Sequence, residues 1–276
     1  MYLWFVILKF HKYHGTGNDF ILIDNRSGQF TIPQGSLRLL IEKLCNRHFG
    51  IGADGLILLE NAPDHDFRMV YFNSDGNEGS FCGNGSRCIV AFAHQINAIK
   101  SNSVKFAAVD GIHHAEVIKS HNGNFDVMVD LNDTDYPVNL SENTFFIDTG
   151  SPHLVIIHEN IASLDVTELG RKIRHSPKWA EKGVNVNFAQ IINRDTIAVR
   201  TYERGVEQET LSCGTGVTAV ALTCNILAGH KQQDAITVQT EGGSLLVSFI
   251  SESNKKFRNI RLRGAAELVF TGNIKI

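Results

Sequence analysis

A cysteine–glycine device occurs twice in this chain, as Cys82-Gly83-Asn84-Gly85 and as Cys213-Gly214-Thr215-Gly216. Each copy runs into an alanine-rich apolar stretch and reads as a glycine-cushioned turn feeding a helix, with a thiol at the helix's first positions. Unpaired backbone N–H groups and the helix dipole favour a thiolate there, so the site lowers a thiol's pKa. The same N–H groups bind anions such as a carboxylate. A chain that builds this device twice implies one substrate held between two thiols.

Other landmarks share the register. Cys82 and Cys213 are 131 residues apart, and so are Asp110-Gly111 and Glu241-Gly242, each pair lying between strand-like runs. GADGLILLE at 52–60 maps onto GVNVNFAQI at 183–191 at the same offset, and Gly17 and Gly150 are 133 apart. FNSDGNEGSFCGNG parallels YERGVEQETLSCGTG with one residue inserted. Landmarks at nearly one offset imply an internal duplication. Its simplest product is two similar domains facing each other across a cleft, joined in the polar run Asn132–Pro137. The expected domains are 1–134, together with a C-terminal strand at about 267–276, and 135–266.

The 276 residues suit about two domains, and 43% hydrophobic with 20% charged residues is ordinary globular composition. A formal net charge of −3 gives no electrostatic case for nucleic acid or an anionic membrane as partner. Met1–Leu8 is apolar but far short of the roughly 20 residues that span a bilayer. It also lacks a basic n-region and a cleavage site, so it reads as an extension running into the first strand of a cytoplasmic protein. Five cysteines with no CxxC pair argue for reduced thiols rather than a disulfide framework or a zinc site.

Local patterns fill in the elements. Lys9–Asp24 reads strand, turn, strand, and Leu37, Leu40, Ile41 and Leu44 predict a helix with Ser36 as its N-cap. A turn at Gly50–Gly55 leads into a strand at Leu56–Leu59, and Phe67–Phe72 alternates into a turn at Asn73–Gly76. Periodicity predicts a helix over Arg87–Ile99 and a hairpin around Asp110-Gly111. Cys45, Cys88 and Cys224 read as small buried hydrophobes. His11 and His14 read as strand or turn residues with no third metal ligand nearby, His113 and His114 as exposed, and Asp19 as a cap on the turn after Gly17. From spacing alone Arg204 and Glu203 are equally well solvated surface charges.

Two thiols from two domains suit two-base proton transfer at carbon: a thiolate removes a proton from one face while the opposing thiol delivers one to the other. Each sulfur must come within roughly 3–3.5 Å of the carbon. The α-proton of an amino acid is very weakly acidic, so helix N-termini must stabilise the charge that develops on its carboxylate. A thiol's pKa, about 8.5, is within reach of neutrality.

The chain resembles the diaminopimelate epimerases. The segments that carry the resemblance are GTGNDFILID at 15–24, RHFGIGADG at 47–55, FNSDG at 72–76, CGNGSRC at 82–88, TGSPH at 149–153, GVNVNF at 183–188, YERG at 202–205, CGTG at 213–216 and GAAELVFTGNI at 264–274. The resemblance implies an α/β (α+β) fold of two pseudo-symmetric domains, each a strongly curved sheet wrapped round a central helix. It implies a cofactor-independent isomerase of lysine and peptidoglycan precursor biosynthesis, with neither metal nor pyridoxal phosphate. Its substrate is a diamino dicarboxylic acid, and a homodimer is possible.

Residue by residue, Cys82 and Cys213 become the acid/base pair, with His153 and Glu203 beside the thiols to tune them. Gly83, Asn84, Gly214 and Thr215 bind the reacting centre's carboxylate. Asn18, Asn73, Asn185 and Arg204 hold the substrate, Arg204 by a bidentate fork on its distant carboxylate. Gly55 stands where many members have Gln, and Ser151 where many have Asn; both bear on substrate selectivity. Three rival readings are a racemase of the same superfamily acting on proline or histidine, a cysteine hydrolase pairing Cys82 with His153, and an amino-acid binding protein.

Overall fold

A computed structural model describes residues 7–28, 30, 36–229 and 233–276. Ile7 and Leu8 open the first strand, and the rest of the apolar N-terminal run lies outside the described residues. The chain divides into two compact units, one ending at Val129 and completed by Ala265–Ile276, the other spanning Asp130–Gly264.

The first unit contains β1 (Ile7–Gly15), β2 (Asn18–Asp24), α1 (Leu37–Cys45), β3 (Gly55–Glu60), β4 (Phe67–Asn73), α2 (Gly83–Gln95), β5 (Ser103–Ala108), β6 (Gly111–His121) and β7 (Asn124–Asp130). The second contains β8 (Thr134–Asp135), β9 (Val138–Ser141), β10 (Thr144–Asp148), β11 (Pro152–Ile157), α3 (Val166–Arg174), β12 (Asn185–Asn193), β13 (Thr196–Glu203), β14 (Gln208–Thr210), α4 (Gly214–Leu227), β15 (Gln233–Thr240) and β16 (Gly243–Ser251). The last strand, β17 (Lys256–Lys275), pairs with β16 through its first half and with β1 through its second.

Strand pairing repeats between the units. In the first, β1–β2 is antiparallel, β2–β3 parallel, β3–β4 antiparallel, β4–β5 parallel and β5–β6 antiparallel. In the second, β10–β11, β11–β12, β12–β13, β13–β15 and β15–β16 follow the same alternation. The duplication is therefore a property of the topology as well as of sequence register. The hairpin expected around Asp110-Gly111 is the β5–β6 turn, and Glu241-Gly242 likewise forms the turn between β15 and β16.

Each sheet closes round one helix. In α2 every residue from Gly83 to Ala93 is buried, and its side chains pack among those of β1 to β7. In α4, GTGVTAVALTCNIL carries no charge, and nearly all of it is buried among β10 to β16. A helix apolar on all sides has no solvent face and must be central. The outer helices differ: α1 and α3 bury one side only, in two smaller clusters on the sheets' other faces.

Three local expectations are corrected. Helix α2 runs from Gly83 to Gln95, four residues earlier than its periodicity predicts. The glycines taken for a turn lie inside its first turn: a Cβ on Gly85 would stand 3.0 Å from Ile57, so the residue is there for close packing. Ser36 holds the N-cap position of α1 but makes no side-chain cap bond. His113 is buried on β6, stacked 4.0 Å from Phe81 with its Nε2 2.8 Å from Asp110, while His114 is exposed. Strand alternation puts only one of two adjacent histidines outside.

Gly170 in α3 offers a stability test. Alanine is the better helix former by up to about 1 kcal/mol. A Cβ there would lie 2.3 Å from the Cβ of Tyr202, which is fully buried and has no room to retreat. Overpacking of this kind costs about 1–3 kcal/mol and outweighs propensity. Gly170→Ala is expected to lose about 2 kcal/mol, read as a lower urea midpoint at unchanged m-value; a gain in stability would contradict the packing described.

Candidate active site

Both thiols are N-caps. Cys82 (φ −123°, ψ 112°) and Cys213 (φ −118°, ψ 111°) share one extended conformation at the heads of α2 and α4. Residues just inside a helix N-terminus have N–H groups with no intrahelical partner. At α2 these belong to Gly83 and Asn84, and at α4 to Gly214 and Thr215.

In the first unit the tight turn at Thr16–Gly17, with φ of 50° and 85°, delivers Asn18 to the start of β2. The Asn18 carboxamide donates to Asp54 Oδ2 (2.8 Å), while its Oδ1 accepts from Asn84 Nδ2 (3.3 Å) and lies 3.8 Å from Cys82 Sγ. The sulfur also accepts the Gly85 N–H at 3.4 Å. The structure thus brings Asn18, Cys82, Gly83 and Asn84 together. Asn73 ends β4 opposite Gly55, with an exposed side chain outside these hydrogen bonds.

Asp19 is not a turn cap; it is the hub of an ion-pair cluster. Its carboxylate meets Lys12 Nζ at 2.7 Å and Arg47 at 2.8 Å, and Arg47 also binds Asp54 at 2.7 Å. Burial raises the Asp19 pKa, but hydrogen bonds from Arg47 and Lys12 outweigh it and hold the carboxyl far below its usual range. Since Asp54 is the group that Asn18 donates to, the cluster fixes which end of the Asn18 amide faces Cys82. These charges lie within segments whose asparagines and glycines draw attention first; only the density of charge in RHFGIGADG signals them.

In the second unit β11 carries His153 and β12 carries Asn185 and Asn187. His153 is completely buried, and burial, aided by the nearby Arg204 charge, lowers its pKa to about 3. Asn187 Nδ2 lies 3.2 Å from its Nδ1, so Nδ1 accepts. The ring therefore carries its proton on Nε2 and donates it to Thr215 Oγ1 at 2.9 Å. Thr215 Oγ1 in turn lies 3.6 Å from Cys213 Sγ. His153 is linked to the thiol through a hydroxyl, as a neutral imidazole.

Ser151 joins this cluster, 3.2 Å from His153 Nε2 and 3.3 Å from Thr215 Oγ1, and accepts from Asn185 Nδ2 at 3.3 Å. Asn185 Oδ1 accepts the Arg204 N–H (2.8 Å), which fixes the backbone where β13 ends. The Arg204 side chain is exposed and donates to Lys182 O (3.0 Å); Gly183 makes room for it, since a Cβ there would meet Arg204 Cδ at 2.5 Å. Glu203 is half-buried and accepts from Thr210 Oγ1 (3.0 Å). At Gly55 a Cβ would lie 2.6 Å from the Tyr71 ring: that aromatic fills the space beside the residue.

Cys45, Cys88 and Cys224 are buried, and burial pushes Cys45 and Cys224 up to about 12 and Cys88 higher still. Among the described residues no group of three or more His, Cys, Asp or Glu is placed to hold a metal ion, and no helix is long and apolar enough to cross a membrane.

The buried His153 makes a pH prediction. Its folded pKa, about 3, lies below the ordinary 6.5, so the unfolded chain takes up the proton first. Its contribution to stability is complete above about pH 6.5 and declines as pH falls towards 3. At about 1.4 kcal/mol per pH unit, the loss at pH 5 is about 2 kcal/mol. Urea unfolding of His153→Gln should therefore show a pH 7 to pH 5 difference smaller by that amount; an identical difference would mean the imidazole is already charged in the fold.

A family model described as diaminopimelate epimerase matches residues 10–134 and 145–269. The diaminopimelate epimerase of Flavobacterium psychrophilum is 48% identical over 267 residues, covering 97% of this chain and 100% of its own. That of Aquifex aeolicus is 41% identical over 283 residues, covering 97% and 98%. Among solved structures, a Bacillus anthracis phenazine biosynthesis protein of the PhzF family superposes with a TM-score of 0.73 at 13% identity, covering 98% of this chain and all of its own. A probable proline racemase from Agrobacterium radiobacter superposes at 0.71 and 16% identity, covering 97% and 92%. At such identities these last two show a common fold.

Proposed function

The chain belongs to the diaminopimelate epimerase family, a family of isomerases, and on that footing we propose that it interconverts LL- and meso-diaminopimelate by two-base proton transfer between Cys82 and Cys213. The observation that carries the reading is the repeated construction: one cysteine N-caps the buried central helix of each unit, in the same backbone conformation.

In this mechanism one thiolate removes the α-proton and the other thiol returns a proton to the opposite face, so the centre inverts and the enzyme's own charge is conserved. The N–H groups of Gly83, Asn84, Gly214 and Thr215 receive the reacting carboxylate and stabilise the charge that develops on it. Asn18 and Asn84, locked to each other, orient that group beside Cys82. His153, neutral and donating to Thr215, leaves the threonine hydroxyl to serve Cys213 Sγ. Glu203 tunes the thiols, while Asn73, Asn185 and Arg204 hold the distant end of the substrate. The scheme requires no cofactor and places the protein in the cytoplasm, in lysine and peptidoglycan precursor synthesis.

Incubation with LL-diaminopimelate in D₂O is the direct test. Formation of the meso isomer with deuterium at the α-carbon is expected; absence of both removes the proposal. Cys82→Ala and Cys213→Ala should each lower the epimerisation rate by about 10²–10⁴, the usual worth of a positioned acid or base. Retention of most activity in Cys213→Ala would instead favour a hydrolase built on Cys82 alone.

A further inference from the structure

The two thiols share a backbone frame, but their surroundings differ in one buried charge. Arg87, one turn further along α2, has no solvent exposure, and among the described residues no carboxylate lies within ion-pair distance of it. Its guanidinium donates to four neutral oxygens: Gly83 O (3.2 Å), Asn84 Oδ1 (2.9 Å), Thr16 Oγ1 (3.3 Å) and Ala265 O (3.4 Å). At the duplicated position, 131 residues on, α4 has Thr218, a neutral residue whose hydroxyl donates to Gly214 O at 3.0 Å. A buried cation without a counter-ion is costly, and such groups are found where an anion completes the arrangement. Burial lowers the Arg87 pKa, which is the measure of that cost.

We propose that Arg87 is a positioning residue for Cys82: it supplies positive charge beneath the N-terminus of α2, favouring the Cys82 thiolate, and it fixes the Gly83 peptide and the Asn84 side chain. On α4 the matching position holds the neutral Thr218, and the neutral His153–Thr215 relay reaches Cys213. The duplicated halves thus hold their thiols by different means. This rests on the reading of Cys82 as a reacting thiol.

Other charges around the pair are accounted for. Asp19 and Asp54 lie beyond Asn18 and are already bound by Lys12 and Arg47. Cys88 of the same helix is held protonated by burial, and Asp126 of β7 acts on Arg87 through space. Asn18 Oδ1, 3.8 Å from Cys82 Sγ, opposes the thiolate and the Gly85 N–H supports it. In the second unit Arg204 acts through space on His153, and it and Glu203 stay unchanged in the variants below.

The test reads thiol charge without substrate, so its failure is separable from failure of the epimerase assay. Iodoacetamide alkylation of Cys82 and Cys213 is followed from pH 5 to 10, each site quantified by peptide mass spectrometry. In Arg87→Met the apparent pKa of Cys82 should rise by about one unit, seen as roughly tenfold slower alkylation below it, while Cys213 keeps its profile. Arg87→Lys should restore much of the shift because it keeps the charge. If the methionine variant does not fold, Arg87→Gln, which retains two donors without charge, takes its place. An unchanged Cys82 profile in a folded variant, or an equal shift at both thiols, overturns the proposal.

Discussion

A helix with no solvent face must have every polar group at its ends provided for by its surroundings. In each unit a curved sheet encloses such a helix, so the helix head opens onto a place built by the turns between strands. At α2 those turns supply Asp54 and Thr16 and the start of β2 supplies Asn18; at α4 a turn supplies Ser151 and the first residues of β11 and β12 supply His153 and Asn185. The cysteine at the head needs no strain to reach its position, since an N-cap is extended by nature. Burial of the helix body therefore dictates where the chemistry sits, and the strand-end loops dictate what that chemistry is.

The symmetry of the backbone was legible from sequence because glycine spacing is a backbone property. Landmarks 131 residues apart translate directly into matching strand order and matching N-caps. The first turn of α2 was not legible as helix: Gly83 and Gly85 have poor intrinsic propensity, and only crowding by Ile57 and Met69 explains the small residue at 85. His113 was read as exposed because composition cannot say which of two adjacent histidines points inward.

Charged residues were the least legible part of the site. Arg87 and Asp54 stand inside segments that carry the family resemblance, yet a charge in a sequence defaults to the surface. What reverses that default is a set of partners separated by up to 178 positions, such as Arg87 with Ala265, and no local pattern encodes them. The Lys12–Asp19–Arg47–Asp54 cluster likewise joins three segments, Lys12 from β1, Asp19 from β2 and both Arg47 and Asp54 from the loop before β3. Family resemblance points to the polar groups at the helix heads; the charges packed behind them emerge only from the fold.

The Tyr71 ring lies between two glycines. An added carbon on Gly55 would meet it at 2.6 Å from one side, and one on Gly79 at 2.4 Å from the other. A larger residue at 79 thus requires a smaller one at 71, whereas at 55 the added carbon also meets the Phe72 carbonyl oxygen at 2.5 Å, which no exchange at 71 relieves. Asn73 sits at the edge of the same volume, 3.2 Å from where the Gly79 carbon would be, so an exchange among the three changes the wall against which that amide rests. Variation at 71 and 79 is then coupled, a single change at either passing through a clash or a hole.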